Sequence, residues 1–227
     1  MNKLNRLIVV AACYLSLTAF TSAQELLTNG GFENQPNYGS GAAGNNTGFS
    51  AMTGTQMPGW TVVAGHAATV HGPPAVYPII SGSYSINMDG EGFGGHNADF
   101  YQDFATLAGG KYTLGFDYQG WTNNAPNTLL RVSVMDLATS AMIYNQTFAF
   151  NAALIHISQL LALGNGDAWR LEIQESPESG FNDNQFIVDN FSVIQQAPAA
   201  GVPESASTIA LLSIGLSALV RLRRRLG

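Results

Sequence analysis

Side chains able to do chemistry are few in this chain. Four histidines, His66, His71, His96 and His156, are scattered, and no two stand at the helical spacing of a zinc motif. No serine sits in a GxSxG-type elbow, so a nucleophilic serine has no local support. Asp89 and Glu91 in "MDGEGFGGHNAD" lie two residues apart in one Gly-rich stretch. Glycoside hydrolysis needs two carboxyls on opposite sides of a sugar, whereas this spacing suits the decoration of a turn. The residues therefore point away from an enzyme and leave binding chemistry. Sugars are held by flat aromatic faces with amide and carboxylate hydrogen bonds. Trp60, Tyr77, Phe93, Trp121 and Asn123 are of the right type. Phe93, in "EGFGG", is placed for exposure; Trp60 and Trp121 suit the cap of a core equally well.

Charge narrows the ligand. Of nine basic residues, Lys3 and Arg6 lie at the start and Arg221, Arg223, Arg224 and Arg225 at the end, leaving Lys111, Arg131 and Arg170 between. Residues 25–200 hold 14 of the 15 acidic residues, a formal charge of 3 minus 14, or −11. Such a body is a poor surface for nucleic acid or anionic polymers, whose binding needs Lys and Arg. Cations and neutral ligands suit it better, and solubility alone also accounts for the charge.

Both ends read as targeting segments. Lys3 and Arg6 precede an apolar stretch from Leu7 to Phe20, and the small residues Thr21 and Ala23 predict a signal peptide over 1–23. A rival reading takes "VAAC" as a lipoprotein box with Cys13 as the lipidated residue. Near the end, an apolar run from Ile209 to Val220 precedes the arginines. Extended back to Ser205 it would reach roughly 24 Å as a helix, short of a hydrocarbon core of about 30 Å. It is a marginal span whose arginines place its end on the cytoplasmic side. If Cys13 leaves with the signal, no disulfide remains, and stability rests on a core, with or without a metal.

The elements between these ends are β-strands. "YSINMDG", "DFYQDF", "KYTLGFDYQGW", "LLRVSVMDL", "AMIYNQTFAF", "WRLEIQES" and "QFIVDNFSVI" are short runs rich in aromatic and β-branched residues, separated by Gly, Asn and Pro. Seven or more such strands predict an all-β sandwich over 24–194. In "NAALIHISQLLALGNG", Leu154, Ile157, Leu160 and Leu161 also fit a helical stripe. A strand closed by a hairpin turn at "GNGD" agrees better with two sheets already filling both layers. "QPNYGSGAAGNNTGFSAMTGTQ" reads as a long loop and "GPPAVYP" as extended turns. Residues 195–202 read as the start of a flexible linker, and 203–227 as the C-terminal segment.

The order of "TNGGFE", "PGW" (Pro58 to Trp60), "GSYSINMDG", "FYQDFATLAGGKYTLGFDYQGW" and "IVDNFSV" resembles the galactose-binding-like jelly rolls of carbohydrate-binding modules and bacterial surface proteins. That resemblance covers nearly all of residues 26–194. It implies a structural Ca²⁺ held by the side chains of Glu33 and Asp189 with backbone oxygen near Gly30 and Gly31, an all-oxygen shell such as calcium takes. The alternative makes Asp189 and Asn190 a strand-end turn and Glu33 a surface charge. The tail resembles the sorting signal processed by exosortase-type membrane enzymes (PEP-CTERM), with Val202, Pro203 and Glu204 as its box and Arg223, Arg224 and Arg225 as its basic end; Ser205 stands where the commoner form has a second proline. Together these resemblances imply a non-enzymatic exported protein. It would pass through an inner-membrane intermediate to the cell surface or extracellular matrix of a Gram-negative-type bacterium, in association with exopolysaccharide and biofilm. The alternative is a dedicated carbohydrate-binding module with a defined sugar site.

Overall fold

The computed structural model describes residues 23–38, 49–72, 78–88, 98–106, 110–122, 129–164, 166–176 and 185–196. The signal segment, Cys13, Asp89, Glu91 and the C-terminal sorting segment lie outside the described residues.

The described chain is all-β. Its strands are β1 (Gln24–Glu25), β2 (Phe49–Met52), β3 (Thr61–Val62), β4 (Ala68–His71), β5 (Ser85–Asn87), β6 (Asp99–Ala105), β7 (Lys111–Thr122), β8 (Leu129–Asp136), β9 (Met142–Phe148), β10 (Ile155–Leu161), β11 (Ala168–Ser176) and β12 (Gln185–Gln196). A seven-stranded sheet runs β10-β7-β12-β5-β4-β2, with β1 also paired to β12; a five-stranded sheet runs β3-β6-β11-β8-β9. All pairings are antiparallel. The chain crosses between the sheets at β2 to β3 and β3 to β4, turns within a sheet at β4 to β5, crosses at β5 to β6, β6 to β7 and β7 to β8, turns within a sheet at β8 to β9, and crosses again through β10, β11 and β12. That winding is a jelly roll.

Alternation builds the core. Leu114, Phe116 and Tyr118 of β7 face Val132 and Val134 of β8 and Leu171 and Ile173 of β11, all buried. Period two puts these side chains on the inner face and sends their neighbours to the other side. At one end Phe32, Trp60, Phe100, Phe116 and Phe191 form an aromatic nest. Ring centroids lie 5.5 Å apart for Phe32 and Trp60, 5.3 Å for Trp60 and Phe100, and 5.1 Å for the stacked Phe116 and Phe191. Edge-to-face and offset pairs of this kind contribute about 0.5–1.5 kcal/mol each beyond burial.

The recognisable motifs meet at this nest. Asn29 donates from Nδ2 to the Pro58 carbonyl (3.0 Å), and its own carbonyl accepts from Trp60 Nε1 (3.0 Å). A Cβ on Gly59, which has φ +84°, would lie 2.7 Å from the Thr28 carbonyl oxygen. "TNGG" and "PGW" are thus the two sides of one packed corner.

Three expectations are corrected. Strand β12 runs to Gln196, with Gln195 opposite Tyr112 and Gln24, so the domain extends two residues beyond 194 and into the expected linker. The Gly- and Asn-rich stretch before "TGTQ" contains β2, whose Phe49–Met52 pairs with β4. "GNGD" does not close a hairpin: β10 pairs with β7, while β11 pairs with β6 and β8 in the other sheet. Thr106 holds this crossing, donating from Oγ1 to the Gly164 carbonyl (2.6 Å) and accepting from the Asp167 amide (3.2 Å).

Candidate functional site

The outer face of the five-stranded sheet carries an ordered polar grid, in which Ser133 and Asp99 are themselves buried. Because Phe100, Leu130, Val132, Leu171 and Ile173 point inward, the intervening residues of β6, β8 and β11 point out. Register sets them in rows across the strands. One row is Thr147, Arg131, Gln174 and Asp99. The next is Asn145, Ser133, Glu172, Tyr101 and Thr61, and a third holds Met135, Arg170 and Asp103. At about 4.8 Å per strand spacing the face is roughly 19 Å across.

Hydrogen bonds fix this grid. Arg131 donates from Nε to Asn145 Oδ1 (3.0 Å) and from Nη1 to Gln174 Oε1 (3.3 Å); Gln174 Nε2 donates onward to Asp99 Oδ2 (3.1 Å). Arg170 grips Asp103 through two bonds of 2.7 and 3.0 Å and lies over the Tyr101 ring, its guanidinium carbon 3.6 Å from the centroid. The Asp103 carboxylate holds the Arg170 guanidinium above its ordinary pKa. Ser133 Oγ lies 3.5 Å from Glu172 Oε2. Two of the body's three basic residues therefore stand on this one face.

Of the sugar-contact candidates of the sequence, Trp60 and Trp121 fall among the described residues. Trp60 is 2% exposed at the centre of the aromatic nest, with its Nε1 committed to Asn29, so its role as a ligand contact is corrected to a core role. Trp121 is 44% exposed, but on β7 of the other sheet. Tyr77, Phe93 and Asn123 lie outside the described residues, as do Val202, Pro203, Glu204, Arg223, Arg224 and Arg225. The aromatic residue of the five-stranded face, Tyr101 of "DFYQDF", was not among the candidates. The signal of that face is the outward Arg131 and Ser133 of "LLRVSVMD" and Arg170, Glu172 and Gln174 of "WRLEIQES", polar residues at alternate positions.

The cation candidates do converge. Glu33 and Asp189 approach the Ser81–Ser85 segment from opposite ends of the chain. Glu33 accepts from the amides of Ser83 (3.0 Å) and Tyr84 (3.2 Å). Asp189 accepts from the Ser81 amide (3.1 Å), Ser85 Oγ (2.9 Å) and its neighbour Asn190 (2.7 Å). Burial pushes the Asp189 carboxyl up to about 7 against those hydrogen bonds, and the charge of Glu33 adds to the rise. The donor chemistry fits a hard cation: it is oxygen only, and no cationic side chain pairs with Asp189 among the described residues. No cluster of three or more His, Cys, Asp or Glu able to hold a metal occurs among them, so backbone oxygen would have to complete a shell. Gly31 lies beside this site, its Cβ position 3.6 Å from Asn190 Oδ1, whereas the Gly30 carbonyl already accepts from Phe191. Ser85, the serine whose hydroxyl bonds Asp189, donates to a carboxylate and not to a histidine, which is not the arrangement of an activated nucleophile.

Fold and surface together define a jelly-roll β-sandwich with a polar outer sheet face. Residues 25–186 match the family described as "Protein of unknown function (DUF642)", and the chain belongs to that family. No curated protein matches the sequence. Among solved structures, the chain is similar to the module TmCBM61 in complex with β-1,4-galactotriose, at 14% identity over 76% of this chain and 99% of that one, with a TM-score of 0.42. It is also similar to the CBM22-1 xylan-binding domain from Paenibacillus barcinonensis Xyn10C, at 11% identity over 65% of this chain and 90% of that one (TM-score 0.42). A third is the K2 cleaved adhesin domain of Lys-gingipain, at 10% identity over 78% and 99% (TM-score 0.46).

Proposed function

We propose that this protein is a non-catalytic carbohydrate-binding protein of the cell exterior, and that an extended polysaccharide chain lies across the outer face of its five-stranded sheet. The observation that carries this reading is the fixed ladder Asn145–Arg131–Gln174–Asp99 beside the Arg170–Tyr101 stack. Sugar hydroxyls are selected by polar groups already held in place, because ordering flexible side chains on binding costs about 0.5–1.5 kcal/mol each. The carboxylates of the face are engaged by neighbours: Asp103 by Arg170, Asp99 by Gln174, Glu172 by Ser133. Such groups are arranged to position a ligand.

The same reading takes residues 1–23 as the export signal and 203–227 as the sorting segment, with Val202, Pro203 and Glu204 recognised by an exosortase-type enzyme. It gives Glu33 and Asp189 a structural Ca²⁺ that ties the two ends of the domain together at the Ser81–Ser85 segment. Calcium there would supply positive charge to a buried carboxylate that has no cationic partner among the described residues.

A glycan array probed with the full chain tests the function. Binding to polysaccharides that Tyr101→Ala and Gln174→Ala weaken supports it. Absence of binding to every glycan on the array contradicts it.

A further inference from the structure

Arg131 is held by neutral partners. The ion pairs described are His156 with Asp117 and Arg170 with Asp103; no carboxylate pairs with Arg131 among the described residues. Its Nε and Nη1 are taken by the side-chain carbonyls of Asn145 and Gln174, and Nη2 donates to nothing described. A guanidinium has five N–H hydrogens, so three remain. Two carboxylates stand nearby in the grid. Asp99 is one amide further along the row, through Gln174, and Glu172 is in the next row, where it acts on Arg170. Neither is in ion-pair contact with Arg131.

Two amides from the strands on either side hold the guanidinium while leaving it its charge. The three hydrogens left, one on Nη1 and two on Nη2, lie at the end of the guanidinium, the end-on edge through which it can grip a carboxylate by two bonds. Arg170, two rows away on the neighbouring strand, grips Asp103 through Nε and Nη2, whereas on Arg131 Nε is taken by Asn145, so a carboxylate there would meet Nη1 and Nη2. The net charge of −11 over residues 25–200 restricts the partner. A polyanion is repelled along its whole length, whereas at physiological salt the screening length is about 8 Å and an isolated carboxylate meets chiefly its local surroundings.

We propose that Arg131 receives a carboxylate carried singly, as a uronic-acid-type substituent, on an otherwise neutral polysaccharide. The proposal rests on the carbohydrate reading of this face and deepens it by naming the ligand class.

The test compares three probes against the full chain: a xylan bearing glucuronic acid side groups, the same xylan after chemical reduction of its carboxyls, and polygalacturonate. Carboxyl reduction is expected to weaken binding at least about tenfold, since a charge-assisted bidentate contact is lost. Polygalacturonate is expected to bind more weakly than the substituted xylan. Arg131→Gln should bind both xylans alike, at the level of the reduced one, and Arg131→Lys should keep part of the preference. Equal binding of the two xylans by the wild-type chain overturns the carboxylate proposal while leaving the carbohydrate reading standing. Stronger binding of polygalacturonate overturns the isolated-carboxylate form of it. Failure to bind any glycan, neutral or charged, removes the carbohydrate reading and the proposal with it. The comparison of the two xylans uses the wild-type chain, so it decides even if Arg131→Gln does not fold.

Discussion

The amide of Phe191 donates to the carbonyl of Gly30 at 2.9 Å, and a Cβ on Gly30 would overlap the Phe191 carbonyl oxygen. This contact joins the first motif of the domain to its last strand, directly beside the aromatic nest. Gly30→Ala therefore has no room unless the backbone of β12 shifts. We expect a loss of roughly 2–4 kcal/mol in denaturant unfolding, the scale of overpacking with a broken backbone contact. Gly54, with φ +54° and nothing within 4 Å of its Cβ position, is the control: alanine there meets only backbone strain and should cost about 1–2 kcal/mol.

The two tryptophans should behave oppositely. Trp60→Ala empties the centre of the nest and should cost about 3–5 kcal/mol. Trp121→Ala, at an exposed position, should change stability by less than about 1 kcal/mol. Chemical denaturation of both variants checks the contrast, and a stable Trp60→Ala would refute the core placement.

Asp189 gives stability a pH dependence in chelator. Its carboxyl rises from the ordinary 3.8 to about 7 on folding, so between these values the folded chain holds a proton that the unfolded chain has released. This contribution is full below about pH 3.8 and is lost as pH rises through about 7, with a slope of at most about 1.4 kcal/mol per pH unit. Asp189→Asn should flatten the profile. Calcium should oppose the loss at neutral pH by favouring the carboxylate. At about 100 times its dissociation constant it would add roughly 2.7 kcal/mol, a few degrees in Tm. Asp189→Ala should abolish that response, and identical melting of wild-type protein with and without chelator would reject the cation.

Removal of residues 203–227 should release the domain into the soluble exported fraction, because the tail is a marginal span fixed by its arginines. Fractionation of expressing cells reads the outcome. Unchanged membrane retention would favour lipidation at Cys13.

Strands β6, β7, β8 and β11 were legible because buried and outward side chains alternate along most of their length. Strand β10 shows how close the competing pattern came. Leu154, Ile157, Leu160 and Leu161 fit a helical stripe, yet Leu160 is 58% exposed while Ile157 packs on the core and Leu161 is buried. Period two decided. Strand β2 was hidden because four residues inside a Gly- and Asn-rich stretch carry no measurable period. Family resemblance pointed to Glu33 and Asp189 as a pair, but the Ser81–Ser85 segment that both of them bond was not legible, since its contribution is mainly backbone amides that sequence does not display. The polar face was missed because a search for sugar sites by aromatic type passes over arginines and amides. Only the hydrogen bonds across the strands show that Asn145, Arg131, Gln174 and Asp99, drawn from four strands, form one ladder.

The central claim is that glycan binds the five-stranded face. The measurement that tests it most directly is a calorimetric titration of one bound polysaccharide against paired variants of the full chain. Tyr101→Ala and Gln174→Ala alter that face, while Leu154→Ser and Ser158→Ala alter β10 and its approach on the seven-stranded sheet. The account predicts affinity reduced about tenfold or more by each of the first pair and unchanged by the second. Affinity lost in the second pair and retained in the first would contradict it.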